Sequence, residues 1–195
     1  KNVASVTYQA MKFPGAPWGL KMACGENPKR VYGGKGGSPM TRMGNVAGYR
    51  AAFIEAQSYM RTWDKYLAGK GKSDSGDGKK KDGGEKSDGD PPTRDLAKET
   101  LMGAMKGDIR VHIHCYRADE MALMIDLAKE FGFKIASFHH GVEAYKIADL
   151  LAAEGVCGAL WADWWGFKME ALDGIEENVS LVDRPANSCA IVHSD

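Results

Sequence analysis

The sequence predicts an α/β fold with a parallel sheet and helical crossovers. Three observations lead there. From residue 91 onward, short apolar runs alternate with helix-patterned stretches in a βαβαβαβ order joined by short connections, which is how parallel sheets are wound. The runs are apolar nearly throughout, as strands covered on both faces read. The helix-patterned stretches stop at Gly107, Gly132 and Gly155, and glycine is the residue type that most often closes a helix.

Taken in order, "WGLKMACGEN" (18–27) reads as a strand running into a loop, and "MGNVAGYRAAFIEAQSYMRTWDKYLAG" (43–69) as a long helix. Residues 69–92 contain only Gly, Lys, Ser, Asp, Glu and Pro. Such a segment buries too little apolar surface to offset its ordering entropy, so it is expected to be a disordered surface insertion. Its charges alternate in sign, which suits a solvated loop better than a nucleic-acid arm.

"PPTRDLAKETLMGAMKGD" (91–108) reads as a helix starting at Pro92 and Thr93, with Leu96, Leu101 and Met105 on one side. "IRVHIHCY" (109–116) is a strand. "ADEMALMIDLAKEFG" (118–132) is a helix, with Met121, Met124, Ile125, Ala128 and Phe131 at helical spacing. A second strand, "FKIASFHH" (133–140), precedes a helix over 142–155. The third strand is "VCGALWAD" (156–163), followed by a helix over 169–183 and a fourth strand, "SCAIVHSD" (188–195).

The 195 residues suit one domain, and 44% hydrophobic content with zero net charge is a globular composition. A balanced charge gives no reason to expect nucleic acid or an anionic membrane as partner. No stretch approaches the ~18–20 apolar residues of a membrane span. No signal peptide is visible, but the chain begins with Lys1 instead of methionine, so the compartment stays open. Cys24, Cys115, Cys157 and Cys189 form no CxxC pair, which argues against a thiolate zinc site, and they are expected to be buried free thiols.

All five histidines, His112, His114, His139, His140 and His193, fall in predicted strands near their carboxyl ends, with Asp195 closing the last strand. In parallel α/β folds ligands bind at that end. The two-residue period puts His112 and His114 on one face, and His193 with Asp195 on one face. It sends His139 and His140 to opposite faces, so that one of them looks into a shared centre. Imidazoles and a carboxylate converging from neighbouring strands suit zinc or a similar divalent ion.

These residues resemble the amidohydrolase superfamily, metal-dependent hydrolases built on a (β/α)8 barrel. "GLKMACGEN" resembles the fourth barrel strand, where some members carry a carboxylated lysine bridging two metals. "VHIHCYRADE" resembles the fifth strand with its metal histidine, "SFHHG" the sixth, and "AIVHSD" the eighth, which ends in the aspartate that binds metal and shuttles a proton. The branch containing imidazolonepropionase and related dipeptidases is the nearest in pattern. The resemblance implies His114 and His140 as metal ligands, Asp195 as ligand and catalytic base, and Lys21 as the bridge, with Glu26 competing for that last role. His139 stands where the family's sixth-strand pattern has a glutamate.

The family's first-strand His-x-His pair has no counterpart before His112, and the family continues beyond the point where this sequence stops. The expectation is a partial TIM-type barrel over residues 1–195, roughly strands four to eight, interrupted by the insertion at 69–92. The implied activity is hydrolysis of an amide or cyclic amide C–N bond by a water activated on one or two divalent ions, zinc first. The alternative is a catalytically inactive barrel fragment or binding protein lacking the complete metal site. The substrate is expected to be a small or peptide-like molecule, and a homo-oligomer is left open.

Other signals attach to this frame. "VYGGKGGSPMTR" (31–42) matches no phosphate-loop pattern and is expected to be a flexible loop. Lys29, Arg30 and Arg42 surround it and suit a substrate carboxylate. Tyr116, Arg117 and His139 lie beside the ligand strands, as substrate contacts. Trp161, Trp164 and Trp165 cluster after the third of the later strands, where aromatic bulk either walls a pocket or packs the loop.

Overall fold

The computed structural model describes residues 7–73, 90–161, 163 and 166–192. After a short helix α1 (Tyr8–Met11) come β1 (Trp18–Ala23), α2 (Glu26–Gly33) and the long α3 (Arg42–Ser73). Then follow α4 (Leu96–Lys106), β2 (Ile109–Cys115), α5 (Ala118–Phe131) and β3 (Ile135–His140). A 3-10 turn (Ala144–Ile147) leads into α6 (Ala148–Ala153) and β4 (Cys157–Leu160). A second 3-10 turn (Met169–Ala171), α7 (Asn178–Val182) and β5 (Ala190–Val192) complete the order.

The five strands form one sheet in the order β1-β2-β3-β4-β5, and every neighbouring pair is parallel. A doubly wound sheet reverses its strand order partway. Here the order follows the chain without reversal, as strands do around a barrel. The fold is a partial barrel with helices on its outer side. Among the described residues no helix is long and apolar enough to cross a membrane.

One face of the sheet supplies the core. Met22, Val111, Ile113, Cys115, Ile135, Phe138 and Leu160 pack with Met121, Met124, Leu127 and Phe131 of α5 and Phe53 of α3. The Phe53 ring stacks on Phe133 at 4.6 Å and on Phe131 at 5.3 Å, tying α3 to the end of α5 and the start of β3. Burying an aromatic side chain of this kind stabilises the fold by roughly 1.5–3 kcal/mol.

The other face carries the polar residues, and a bulge sets which ones. Val111 pairs with Ile135, but His112 pairs with Ser137, so Ala136 is an extra residue in β3. The extra residue lets Ile135 and Phe138, three apart, both enter the core. Ser137 and His139 then fall beside His112 and His114. Lys21 joins the same face, in register with His112.

Several expectations need correction. Residues 69–73 belong to α3, not to the insertion, and Lys70 lies 5.1 Å from the Tyr66 ring one turn earlier. The rest of the insertion, 74–89, lies outside the described residues. Helix α4 starts at Leu96, because Asp95 caps it by accepting the Ala97 and Lys98 N–H groups at 3.1 and 3.2 Å. The stretch after β1 is helical from Glu26, so Lys29 and Arg30 sit on α2. The helix read over 169–183 is two short turns separated at Asp173 and Gly174, where Asp173 is held by Tyr145 and Lys146. Cys157 and Cys189 are joined in a disulfide between the amino ends of β4 and β5, and only Cys24 and Cys115 are free and buried.

Candidate functional site

The carboxyl ends of β2 and β3 bring four imidazoles together. His112 and His139 face each other with ring centres 5.4 Å apart and Nδ1 and Nε2 at 3.2 Å, so one ring donates to the other. Strict alternation would turn the next residue, His140, toward the core. Instead His140 has a φ of 73°, the left-handed conformation, and Gly141 follows at 42°. The turn lays the His140 ring 4.4 Å from His114, 6.3 Å from His139 and 4.3 Å from Trp161. The expected opposition of His139 and His140 is therefore overturned: both rings join one series, His112–His139–His140–His114.

Neighbouring groups hold this turn. The Gly141 N–H donates to the Cys115 carbonyl at 3.0 Å. Buried Asn178 donates to the Gly141 carbonyl at 2.9 Å and accepts the Tyr145 N–H at 3.0 Å. Glu143 accepts the Ala118 N–H at 3.0 Å at the start of α5. These bonds leave the left-handed residue no alternative backbone path without breaking buried partners.

His114 is 8% exposed and His140 6%. Asn27 Nδ2 lies 3.0 Å from His114 Nε2, and the Tyr116 ring is 5.0 Å from the His114 ring. Lys168, from the segment after β4, reaches Asn27 Oδ1 at 3.4 Å and sits 4.0 Å over the Tyr116 ring. Its ammonium pairs with Glu170 at 2.7 Å. Glu170, 1% exposed, also accepts the Glu26 N–H at 2.8 Å and pairs with Arg42 at 3.2 Å. Gly25, at φ 77°, permits this approach, since a side chain there would run into the Glu170 carboxylate.

The charges behind the site are unevenly matched. Arg42 also pairs with Glu120 at 3.2 Å and Glu26 at 3.8 Å. Burial lowers the Arg42 pKa, but Glu120 and Glu170 outweigh it and leave it raised. Burial, assisted by Glu170 and opposed by Arg42, raises that of Glu120. On the histidine face, burial and then the charge of Lys21 lower the pKa of His112.

The structure brings His114, His140, His139 and Tyr116 together, with Lys21 on the same sheet face. It does not bring Arg117 there: its guanidinium pairs in two bonds with Asp119, at 2.9 and 3.1 Å. Arg30 is exposed on the last turn of α2. Arg42 is committed to three carboxylates, so the expectation that it meets a substrate carboxylate is corrected. Glu26 is drawn toward Arg42. His193, Asp195, Trp164 and Trp165 lie outside the described residues. Asn27, Lys168 and Glu170 went unnoticed in the sequence. Asn27 lies in α2 and Lys168 well past the end of β4, so neither has the strand-end position that singles out Tyr116.

His114 and His140 offer nitrogen donors from adjacent strands, which suits a divalent transition ion. Among the described residues, no group of three or more His, Cys, Asp or Glu side chains is placed to hold a metal ion. The two rings alone offer two donors, fewer than the three protein ligands of a catalytic zinc site.

A parallel sheet wound in chain order, with imidazoles at its carboxyl end, defines the barrel-type α/β class. No family model matches the chain. It is 33% identical over 159 residues to the amidohydrolase tasK of Hapsidospora irregularis, covering 80% of this chain and 15% of that protein. It superimposes on the crystal structure of an amidohydrolase from Thermotoga maritima MSB8 with a TM-score of 0.70 at 31% identity, covering 89% of this chain and 40% of that one. The chain belongs to the amidohydrolase superfamily, and it spans well under half the length of either relative.

Proposed function

We propose that the chain carries part of the active site of a metal-dependent hydrolase acting on amide or cyclic amide C–N bonds. The observation that supports this best is the 4.4 Å approach of the His114 and His140 rings, achieved by a left-handed residue at a strand end. Non-glycine residues in that conformation are uncommon and concentrate at functional sites. His114 and His140 would hold a divalent ion, zinc first, together with Asp195. Such an ion, when bound, lowers the pKa of a water from about 16 toward about 7.

The chain's own residues divide the remaining work. Asp195 accepts the proton of the attacking water and passes it to the leaving nitrogen. Lys21, with its amine carboxylated, would help to hold a second ion. Of the two candidates for that role Lys21 is favoured, because Arg42 engages Glu26. Tyr116 and His139 line the substrate side, and Arg30 and Arg117 offer guanidinium groups to a small or peptide-like substrate. Arg117 would have to exchange Asp119 for the substrate.

A second reading has one observation behind it. The described residues supply no third donor, which suits a barrel that binds without turnover. Titration with cobalt(II), read by visible absorption, separates the two alongside hydrolysis of dipeptides and cyclic amides. The catalytic reading expects stoichiometric binding that is lost in His114→Ala and His140→Ala, with turnover in the protein containing the whole barrel. The 195-residue chain alone is expected to bind weakly and to turn nothing over. Cobalt binding indifferent to both histidines would overturn the proposal.

A further inference from the structure

We propose that Lys168 and Asn27 are positioning residues that set which ring nitrogen of His114 carries its proton, with Glu170 holding Lys168 in place. The inference deepens the reading of His114 as a metal ligand, and its significance rests on that reading. Its geometry stands apart from it.

A lysine ammonium can only donate. The Asn27 atom it meets at 3.4 Å is therefore the amide oxygen. That choice leaves the amide nitrogen facing His114 Nε2 at 3.0 Å. An amide nitrogen also only donates, so Nε2 must accept and the neutral ring carries its proton on Nδ1. Turning the amide over would set its nitrogen against the ammonium, donor to donor. Lys168 thus fixes the His114 tautomer without touching the ring.

The position of Lys168 is itself fixed. Glu170 binds it at 2.7 Å, and the Tyr116 ring lies 4.0 Å beneath its charge. Glu170 is in turn held by the Glu26 N–H at 2.8 Å and by Arg42 at 3.2 Å. The segment after β4 therefore sets the proton position on a residue of β2, two strands away in the sheet. A cation taking Nε2 must displace Asn27. One taking Nδ1 must turn the amide over and break its bond to Lys168. Either way, loading His114 changes what the Asn27 amide meets, and the Nδ1 route also costs its contact with Lys168.

The test is nitrogen-15 NMR of the histidine rings in the metal-free protein at a pH where they are neutral. His114 is expected as the Nδ1–H form. In Lys168→Met the proton signal should move wholly or partly to Nε2, and Lys168→Arg should restore it. The His112 and His139 signals report whether the variant is folded. Should Lys168→Met fail to fold, Asn27→Asp serves instead. Its carboxylate only accepts, so the proton is expected on Nε2. An Nε2–H ring in the unmodified protein overturns the proposal, as does an unchanged Nδ1–H ring in either folded variant. Zinc added afterwards tests the ligand reading separately: His114 and His140 signals that do not respond reject that reading and leave the tautomer result standing.

Discussion

The phenol of Tyr49 holds both peptide groups of Ala23, donating to its carbonyl at 2.5 Å and accepting from its N–H at 2.9 Å. Asn45 donates to the same carbonyl at 3.0 Å. The next residue, Cys24, donates its N–H to His114 in β2 at 2.7 Å, so Ala23 faces the outer edge of the sheet. Helix α3 therefore closes the end of an edge strand with side chains where a further strand would otherwise pair.

Tyr49→Phe removes one donor and one acceptor from this edge. The expected loss is about 1–2 kcal/mol, measured by urea unfolding, since Asn45 still serves the carbonyl. The variant should also change the alkaline limb. Burial pushes the Tyr49 pKa from 10.0 up to about 12. The folded protein keeps this proton where the unfolded chain releases it, so the contribution is whole below pH 10 and lost as pH rises through about 12. A stability profile over that range as steep in Tyr49→Phe as in the parent would contradict the assignment.

His140 separates backbone from ring. His140→Asn keeps a residue that tolerates a positive φ, so stability should stay near that of the parent while cobalt affinity falls. His140→Val forces a β-branched residue into the same conformation and should cost about 1–3 kcal/mol on thermal unfolding. Equal stability of the two variants would mean the left-handed turn is not retained.

The Cys157–Cys189 bond closes a loop with a sequence separation of 32. Reduction, or replacement of both cysteines by serine, is expected to cost about 3–4 kcal/mol on loop-entropy grounds. Because β5 is only three residues long, the loss should show first as faster amide exchange in β5. Unaltered exchange there after reduction would place the effect elsewhere.

Residues 74–89 contain no apolar side chain. Replacing them with a short Gly/Ser linker should leave stability within about 0.6 kcal/mol, the scale of a twofold change in loop length. The histidine ring signals should not move. A loss of several times that size would show that the segment packs on the domain.

Much of the fold was legible because parallel strands and their helices write themselves as long, one-kind stretches ended by glycine. Gly107 and Gly132 do close α4 and α5, in left-handed conformations. The strand-end histidines were legible for the same reason. Two local features hid the rest. The bulge at Ala136 changes which residues of β3 face the core, and the positive φ of His140 overrides alternation at the next step. Neither follows from residue types alone. The Cys157–Cys189 pairing was hidden because two half-buried thiols on neighbouring strands look, in sequence, like any other apolar positions. Lys168 and Glu170 were hidden because their partners Asn27, Glu26 and Arg42 are more than 120 positions away in the chain.

The bulge makes β3 sensitive to length in a way that its composition does not reveal. One residue inserted after Ser137 would leave every side chain of the strand chemically unchanged, yet it would carry Phe138 to the histidine side and press His139 into the hydrocarbon interior, whereas removing Ala136 would take out only the unpaired residue and leave Phe138 and His139 in register. Substitutions in this strand should therefore be absorbed far more readily than a one-residue insertion after the bulge. Among variants of this chain, insertions should accumulate in the loops and around residues 74–89, with none between Ser137 and His140.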